Sequence, residues 1–154
     1  MKILGIDPGY AIVGWALIEY KNNSPQLIKC GVIETDKSLT IPERLDEIYN
    51  DLQTIINENR PEMAGIESLM FYNNAKTAIA VSEARGVINL AIHKAGIPIK
   101  HVTPLQVKNA VSGYGKATKK QVQESVKLLC GLKSVPKPDD AADAVAVAIC
   151  AANL

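Results

Sequence analysis

The chain has 154 residues, of which 47% are hydrophobic, so it is long enough to bury one core and short for two, and we expect a single domain over residues 1–154. Positive and negative side chains nearly cancel at a net charge of +1, and the three cysteines lie far apart without C-x-x-C spacing, which argues against a disulfide framework or a zinc site. Few apolar residues precede Asp7 and no apolar run approaches 18 residues, so neither a signal peptide nor a membrane span is predicted and a cytoplasmic location is expected.

The first predicted element is a short strand that ends on a carboxylate. Ile3, Leu4 and Ile6 form an apolar run typical of a strand buried on both faces, and Asp7 stands at its C-terminal end. In open α/β sheets, sites form beyond the carboxyl ends of the strands, which makes Asp7 a candidate site residue. The alternative is that Asp7 only opens the turn at Pro8-Gly9.

The next segments predict an antiparallel meander followed by a helix. Residues 11–18 and 26–35 are rich in β-branched and apolar residues, and the turn cluster at residues 21–25 joins them. Pro42 then stands at a helix start, and apolar residues recur at spacings of three and four as far as Asn59.

A second short strand also ends on an acid. Residues 63–66 are apolar, and Glu67 follows them directly. If this strand is the parallel neighbour of the first, Asp7 and Glu67 lie side by side at one edge of the sheet. The alternative for Glu67 taken alone is a helix N-terminal charge or a surface residue.

Two aromatic residues follow Glu67. Phe71 and Tyr72 are placed to stack on a nucleic-acid base, although the apolar cluster around Leu69 also suits a hydrophobic staple onto the next helix. That helix, residues 75–95, has apolar residues on more than one stripe, so we expect it to be covered on two sides, by its own sheet and by a partner chain.

The stretch from residue 94 to residue 137 is basic. Residues 1–93 carry 8 Lys and Arg against 12 Asp and Glu, whereas residues 94–137 carry 9 Lys against the single Glu124. A strand over residues 97–102 and helices over residues 105–111 and 119–130 are predicted there. A lysine run is often only a solvated face, but the near absence of acids favours nucleic-acid binding by four lysines on the helices and their link, Lys108, Lys116, Lys119 and Lys120.

The last predicted helix begins with acids and continues with small apolar residues. Asp139 is the expected N-cap, and an acid in a first turn also answers the helix macrodipole. Asp140 and Asp143 are three residues apart and share one helical face. Because Asp143 lies among alanines that should pack closely on the sheet, we expect its carboxylate to serve a site.

Together these patterns predict a metal-dependent phosphodiesterase. Mg²⁺ is held by a few carboxylates with water and substrate phosphate, and two such ions about 3.5–4 Å apart stabilise both the attacking and the leaving oxygen of a phosphoryl displacement. The candidate ligands for two Mg²⁺ ions are the four acids, Asp7, Glu67, Asp140 and Asp143.

The sequence resembles the RuvC-type Holliday junction resolvases from Ile3 to Ala152. The resemblance rests on residues 5–9 with Gly14, 66–67, 83–86, 106–108, 115–122, and 140–144. It implies an α/β, RNase H-like fold with a five-stranded mixed sheet flanked by helices, in which three antiparallel strands precede the parallel ones. It also implies a homodimer that nicks a four-way DNA junction symmetrically with Mg²⁺ or Mn²⁺ in recombination and repair, and cooperation with the RuvA and RuvB branch-migration proteins.

The resemblance also assigns site residues. The family's catalytic acids correspond to the four acids above, and its DNA-contacting lysines correspond to Lys108 and Lys119. Its aromatic residue at the junction centre corresponds to Met70 in an ungapped alignment, so we expect the adjacent Phe71, supported by Tyr72, to take that role.

Two other functions remain open from the sequence alone. The start of the chain also resembles the phosphate-binding segment of actin-like sugar kinases, but those enzymes need a second similar domain that 154 residues cannot supply. A junction-binding protein without nuclease activity is the other alternative, against which the four intact carboxylates count.

Overall fold

The computed structural model describes residues 1–69 and 75–154, whose strands form one five-stranded sheet in the order β3-β2-β1-β4-β5. The strands are β1 (Lys2–Asp7), β2 (Ile12–Lys21), β3 (Ser24–Glu34), β4 (Met63–Glu67) and β5 (Ile99–Val102). The first three pair antiparallel, and β4 and β5 run parallel to β1. The predicted mixed sheet is therefore confirmed.

The β2–β3 hairpin is longer and tighter than the sequence predicts. Its strands continue to Lys21 and resume at Ser24, leaving a two-residue turn in which Asn22 and Asn23 have φ values of 49° and 59°. Asparagine tolerates this left-handed conformation, and such turns match the twist of paired strands. The predicted turn over residues 21–25 is wrong at its ends, because Lys21, Ser24 and Pro25 pair within the strands.

The described helices are α1 (Ile41–Asn59), α2 (Ala75–Lys94), α3 (Pro104–Ser112), α4 (Lys119–Leu129) and α5 (Asp139–Ala152). Capping boxes start three of them, where Thr40, Thr103 and Thr118 each accept a hydrogen bond from the backbone of the third helical residue. Helices α1 and α2 cover one face of the sheet, and α3, α4 and α5 cover the other.

The start of α5 differs from the prediction. The N-cap position is Pro138 and carries no side-chain cap, while Asp139 is the first helical residue. The Asp139 carboxylate accepts a hydrogen bond from Lys137 instead of capping the backbone.

Helix α5 packs against the sheet at backbone contact distance. A Cβ atom added to Gly5 of β1 would meet the backbone oxygen of Ala144 and would lie 2.7 Å from the Cβ of Ala148. At Gly65 of β4, an added Cβ would lie 2.6 Å from the Cβ of Ala151. The glycines of the sheet and the alanines of the helix therefore fix the distance between these layers.

None of the helices described here is both long enough and apolar enough to cross a membrane.

We predict that Gly5→Ala destabilises the protein by at least about 2 kcal/mol, because the new methyl group meets backbone that cannot move aside. Gly31→Ala is the matched control, since this strand glycine faces only the Trp15 side chain at 3.2 Å and should cost less than about 1 kcal/mol. Urea unfolding measures both changes. Equal stability of Gly5→Ala and wild type would contradict the close approach of α5.

Candidate active site

Two carboxylates lie at the ends of adjacent parallel strands. Strands β1 and β4 are in register from Ile3 opposite Met63 to Ile6 opposite Ile66, so the next residues, Asp7 and Glu67, end the strands together. Each is half-buried at the carboxyl edge of the sheet. This is the juxtaposition that the sequence predicts for two acid-ended strands.

The start of α5 brings further carboxylates to the same edge. Gly14 of β2 pairs with Asp7 of β1, and a Cβ atom at Gly14 would collide with the backbone carbonyl of Asp140. The missing side chain lets the first turn of α5 rest directly on the strand beside Asp7. Asp143, one turn further, lines the same cleft as Glu67.

The pKa values of these acids are shifted by burial and by the charges of the neighbouring carboxylates. Burial, followed by the charges of Glu67, Asp143 and Asp140, raises the pKa of Asp7 to about 8. Burial and the charge of Asp143 raise the pKa of Glu67 to about 7, against the lowering effect of Lys108 and Lys119. The pKa of Asp143 is also raised, first by burial, although Lys119 opposes the shift.

Two lysines enter the acid-lined cleft from the neighbouring helices. The cleft has a volume of about 220 Å³ and is lined by Glu67 and Asp143 together with Lys108 of α3 and Lys119 of α4. Lys119 is the closer cation, since its Nζ lies 3.1 Å from Oδ2 of Asp143. Burial alone would lower the pKa of Lys119, but its hydrogen bond and attraction to Asp143 raise it overall.

The chemistry of the four acids suits a hard divalent cation. Among the residues that the structure describes, no three His, Cys, Asp or Glu side chains are already arranged as a metal-binding group. Mg²⁺ does not require such a cage, because it keeps several waters and is held by one or two carboxylates with substrate phosphate. Burial first, and then repulsion from the neighbouring carboxylates, raises the pKa of Asp7 and Glu67. A bound cation would relieve that repulsion.

The comparisons with known proteins agree on one family. The family model described as crossover junction endodeoxyribonuclease RuvC matches residues 3–151. The chain is 52% identical over 152 residues to the enzyme of that name from Thermosipho melanesiensis, covering 99% of this chain and 97% of the relative. It is 50% identical over 150 residues to the enzyme from Chloroflexus aurantiacus, covering 97% and 92%. The chain belongs to the RuvC family.

A solved RuvC structure supports the fold in detail. The structure described as Thermus thermophilus RuvC in complex with Holliday junction substrate superposes with a TM-score of 0.93 at 33% identity, over 99% of this chain and 93% of that one. The predicted RNase H-like fold is confirmed. As a RuvC, the chain is a crossover junction endodeoxyribonuclease, a metal-dependent class of nuclease.

The structure gathers some of the predicted site residues and leaves others apart. The four acids, Lys108 and Lys119 share one electrostatic cluster. Lys116 and Lys120 are exposed, and Lys120 lines a separate groove between the α3–α4 link and α4. Phe71 and Tyr72 lie outside the described residues.

Asp139 belongs to the site although its position predicts only an N-cap. Its carboxylate lies 3.9 Å from Nζ of Lys119. The available signal was its spacing of four residues from Asp143, which places both acids on one face of α5.

We predict that Asp7→Asn stabilises the metal-free protein at alkaline pH. Asp7 titrates at about 8 when folded and near 3.8 when unfolded, so stability from its protonated form is full below about pH 4 and is lost as the pH rises through 8. The variant should therefore exceed wild type by on the order of 5 kcal/mol at pH 8 in EDTA and by only about 1 kcal/mol at pH 4.5, since each unit of pKa difference is worth about 1.4 kcal/mol. Urea midpoints at both pH values measure this.

The exposed α1 variant Asp51→Asn is the control and should match wild type at both pH values. An Asp7→Asn variant that is no more stable than wild type at pH 8 would contradict both the burial of the Asp7 charge and the repulsion among the acids.

Proposed function

We propose that this chain resolves four-way (Holliday) DNA junctions by nicking two strands at symmetrical positions through metal-assisted hydrolysis of the phosphodiester backbone. The observation that carries the proposal is the cluster of mutually repelling carboxylates at the sheet edge, open to a cleft with two lysines. The junction complex of the Thermus RuvC supports the choice of substrate. The reaction serves homologous recombination and repair.

Asp7, Glu67, Asp140 and Asp143 would hold two Mg²⁺ ions, for which Mn²⁺ can substitute. Bound divalent ions would neutralise the substrate phosphate and lower the pKa of the attacking water. Asp7 and Glu67 are fixed by the paired strands β1 and β4, so their carboxylates keep their positions without substrate. Lys119 would neutralise the charge that develops on the phosphate in the transition state.

The exposed lysines would bind the DNA backbone around the cleft. Lys108 faces the acids, whereas Lys116 and Lys120 extend the positive surface along the α3–α4 link and the start of α4. Contacts of this kind position a duplex without reading its sequence. Phe71, with Tyr72, would act at the junction centre by stacking on unpaired bases.

The functional unit would be a homodimer of single domains spanning residues 1–154. Helix α2 supports this, because Ile79 and Leu90 are 71% and 52% exposed, and eleven residues separate them, which places them on the same helical face. A second copy is the occupant that paired nicking requires. Cooperation with RuvA and RuvB and a cytoplasmic location belong to the same proposal.

We expect the wild type to make paired nicks in a mobile four-way junction with Mg²⁺ and none with EDTA, while a linear duplex of the same sequence stays intact. Asp7→Asn should bind the junction with unchanged affinity and cut it at least about 100-fold more slowly, because only the reaction needs this carboxylate. Denaturing gels and a binding titration measure the two effects. Loss of binding together with cutting would make Asp7 structural.

The non-cleaving alternative makes a different prediction in the same assay. A junction-binding protein without nuclease activity would bind in Mg²⁺ and leave every strand whole. If the duplex is cut as fast as the junction, the metal-dependent hydrolysis is supported but selectivity for the junction is refuted.

We predict that replacing both Lys116 and Lys120 by Met weakens junction binding about tenfold at 0.1 M salt and reduces the slope of log affinity against log salt by about 1 to 2, because two phosphate contacts are lost. Lys21→Met is the control, since Lys21 ends β2 at the opposite end of the sheet from Asp7. Fluorescence anisotropy across a salt series measures the slope. An unchanged slope would show that Lys116 and Lys120 do not contact the DNA phosphates.

A further inference from the structure

Lys119 lies between two carboxylates of α5. Its Nζ is 3.1 Å from Oδ2 of Asp143 and 3.9 Å from Oδ2 of Asp139. The two acids are four residues apart and project from the same face of the helix. Lys119 is also the first residue of α4, where the helix macrodipole disfavours a cation. The carboxylates of Asp139 and Asp143 offset this effect and stabilise the ammonium group.

Asp139 holds two lysines with its two oxygens. Oδ2 faces Lys119, while Oδ1 accepts a hydrogen bond from Nζ of Lys137 at 3.3 Å. The Asp139 side chain is 49% exposed and that of Asp143 is 28% exposed, so Asp139 is the outer carboxylate and Asp143 the inner one. These contacts hold the pKa of Asp139 below its ordinary value, which keeps the outer carboxylate charged.

The inner carboxylate has two competing uses. In the metal-free protein, the Lys119 ammonium compensates the charge of Asp143. A divalent cation on Asp143 would take the same oxygen atoms and repel the ammonium. Lys119 then needs another anion if it is to remain beside the cleft.

We propose that Asp139 is a positioning residue that gives Lys119 a second carboxylate, so that the ammonium stays at the mouth of the acid cluster when a divalent cation takes Asp143. The inference rests on the proposed function, because it assumes a cation at the acids. Lys119 is already within ion-pair distance of both partners, so the exchange needs no rearrangement of the backbone. The shift leaves Lys119 beside the position of the substrate phosphate.

The test measures Mn²⁺ binding to the DNA-free, full-length protein by isothermal titration calorimetry. Asp139→Asn should weaken Mn²⁺ binding about threefold, the size expected from one exposed ion pair. In a Lys119→Met background the same substitution should change the affinity by less than about 1.5-fold, because the residue acts through Lys119. Asp139→Glu should restore wild-type affinity.

Glu124→Gln is the matched control. It removes a carboxylate that pairs with another lysine of α4, Lys127 at 3.8 Å, and it should leave Mn²⁺ binding unchanged. A second readout is single-turnover cutting at saturating Mn²⁺, where Asp139→Asn should be about three- to tenfold slower with junction affinity within about twofold of wild type.

Equal weakening by Asp139→Asn with and without Lys119 would overturn the inference, because loss of a nearby negative charge would explain it. Unchanged Mn²⁺ affinity in Asp139→Asn would overturn it as well. Failure of the proposed function looks different, since the wild type would then neither bind Mn²⁺ nor cut the junction. If the wild type binds Mn²⁺ and cuts the junction but the effect of Asp139→Asn does not depend on Lys119, only the positioning role is refuted.

Discussion

The site depends on how closely α5 packs against the sheet. Gly5, Gly14 and Gly65 present no side chain to the helix. Alanines of α5 face Gly5 and Gly65, and the backbone of Asp140 faces Gly14, so helix backbone rests on strand backbone. Interiors packed to this density do not deform freely. The first turn of α5 is therefore held in place beside Asp7, and the carboxylates of Asp140 and Asp143 are positioned by the core and not by a loop. The same packing excludes water from one side of the acids, which is why burial is the largest influence on the pKa of Asp7.

Placing like charges together in this way costs stability that the fold must supply elsewhere. The metal-free protein reduces the cost by keeping protons on its acids, with pKa values of about 8 for Asp7 and about 7 for Glu67, and by setting Lys119 against Asp143. A divalent cation would relieve the same repulsion more completely than a proton or an ammonium group. A divalent cation would therefore compete with protons for these carboxylates.

Much of this arrangement follows from local sequence patterns. The strands that end at Asp7 and Glu67 could be predicted because each is a short apolar run followed by an acid, and parallel pairing then places the acids together. Asp143 could be predicted because an acid in an otherwise small, apolar helix needs a partner. The pairing of Lys119 with Asp139 could not, because it joins residues twenty positions apart whose contact is set by tertiary packing. The predicted N-cap role of Asp139 is also wrong. Its carboxylate contacts Lys137 and Lys119, and α5 begins without a side-chain cap.

The acids and the exposed lysines lie on different elements and contribute differently to selectivity for the junction. The acids come from strand ends and a buried helix, whereas Lys116, Lys119 and Lys120 are exposed at the link and the start of α4. Lysines of this kind bind phosphate wherever the backbone passes and carry no information about sequence or branching. One acid cluster can act on one strand at a time, so a single chain has no means of distinguishing a junction from a duplex by its chemistry alone. In the proposed homodimer, the spacing of two clusters would supply the selectivity for the junction, so the proposed reaction would depend on the α2 face that carries Ile79 and Leu90 as well as on the carboxylates.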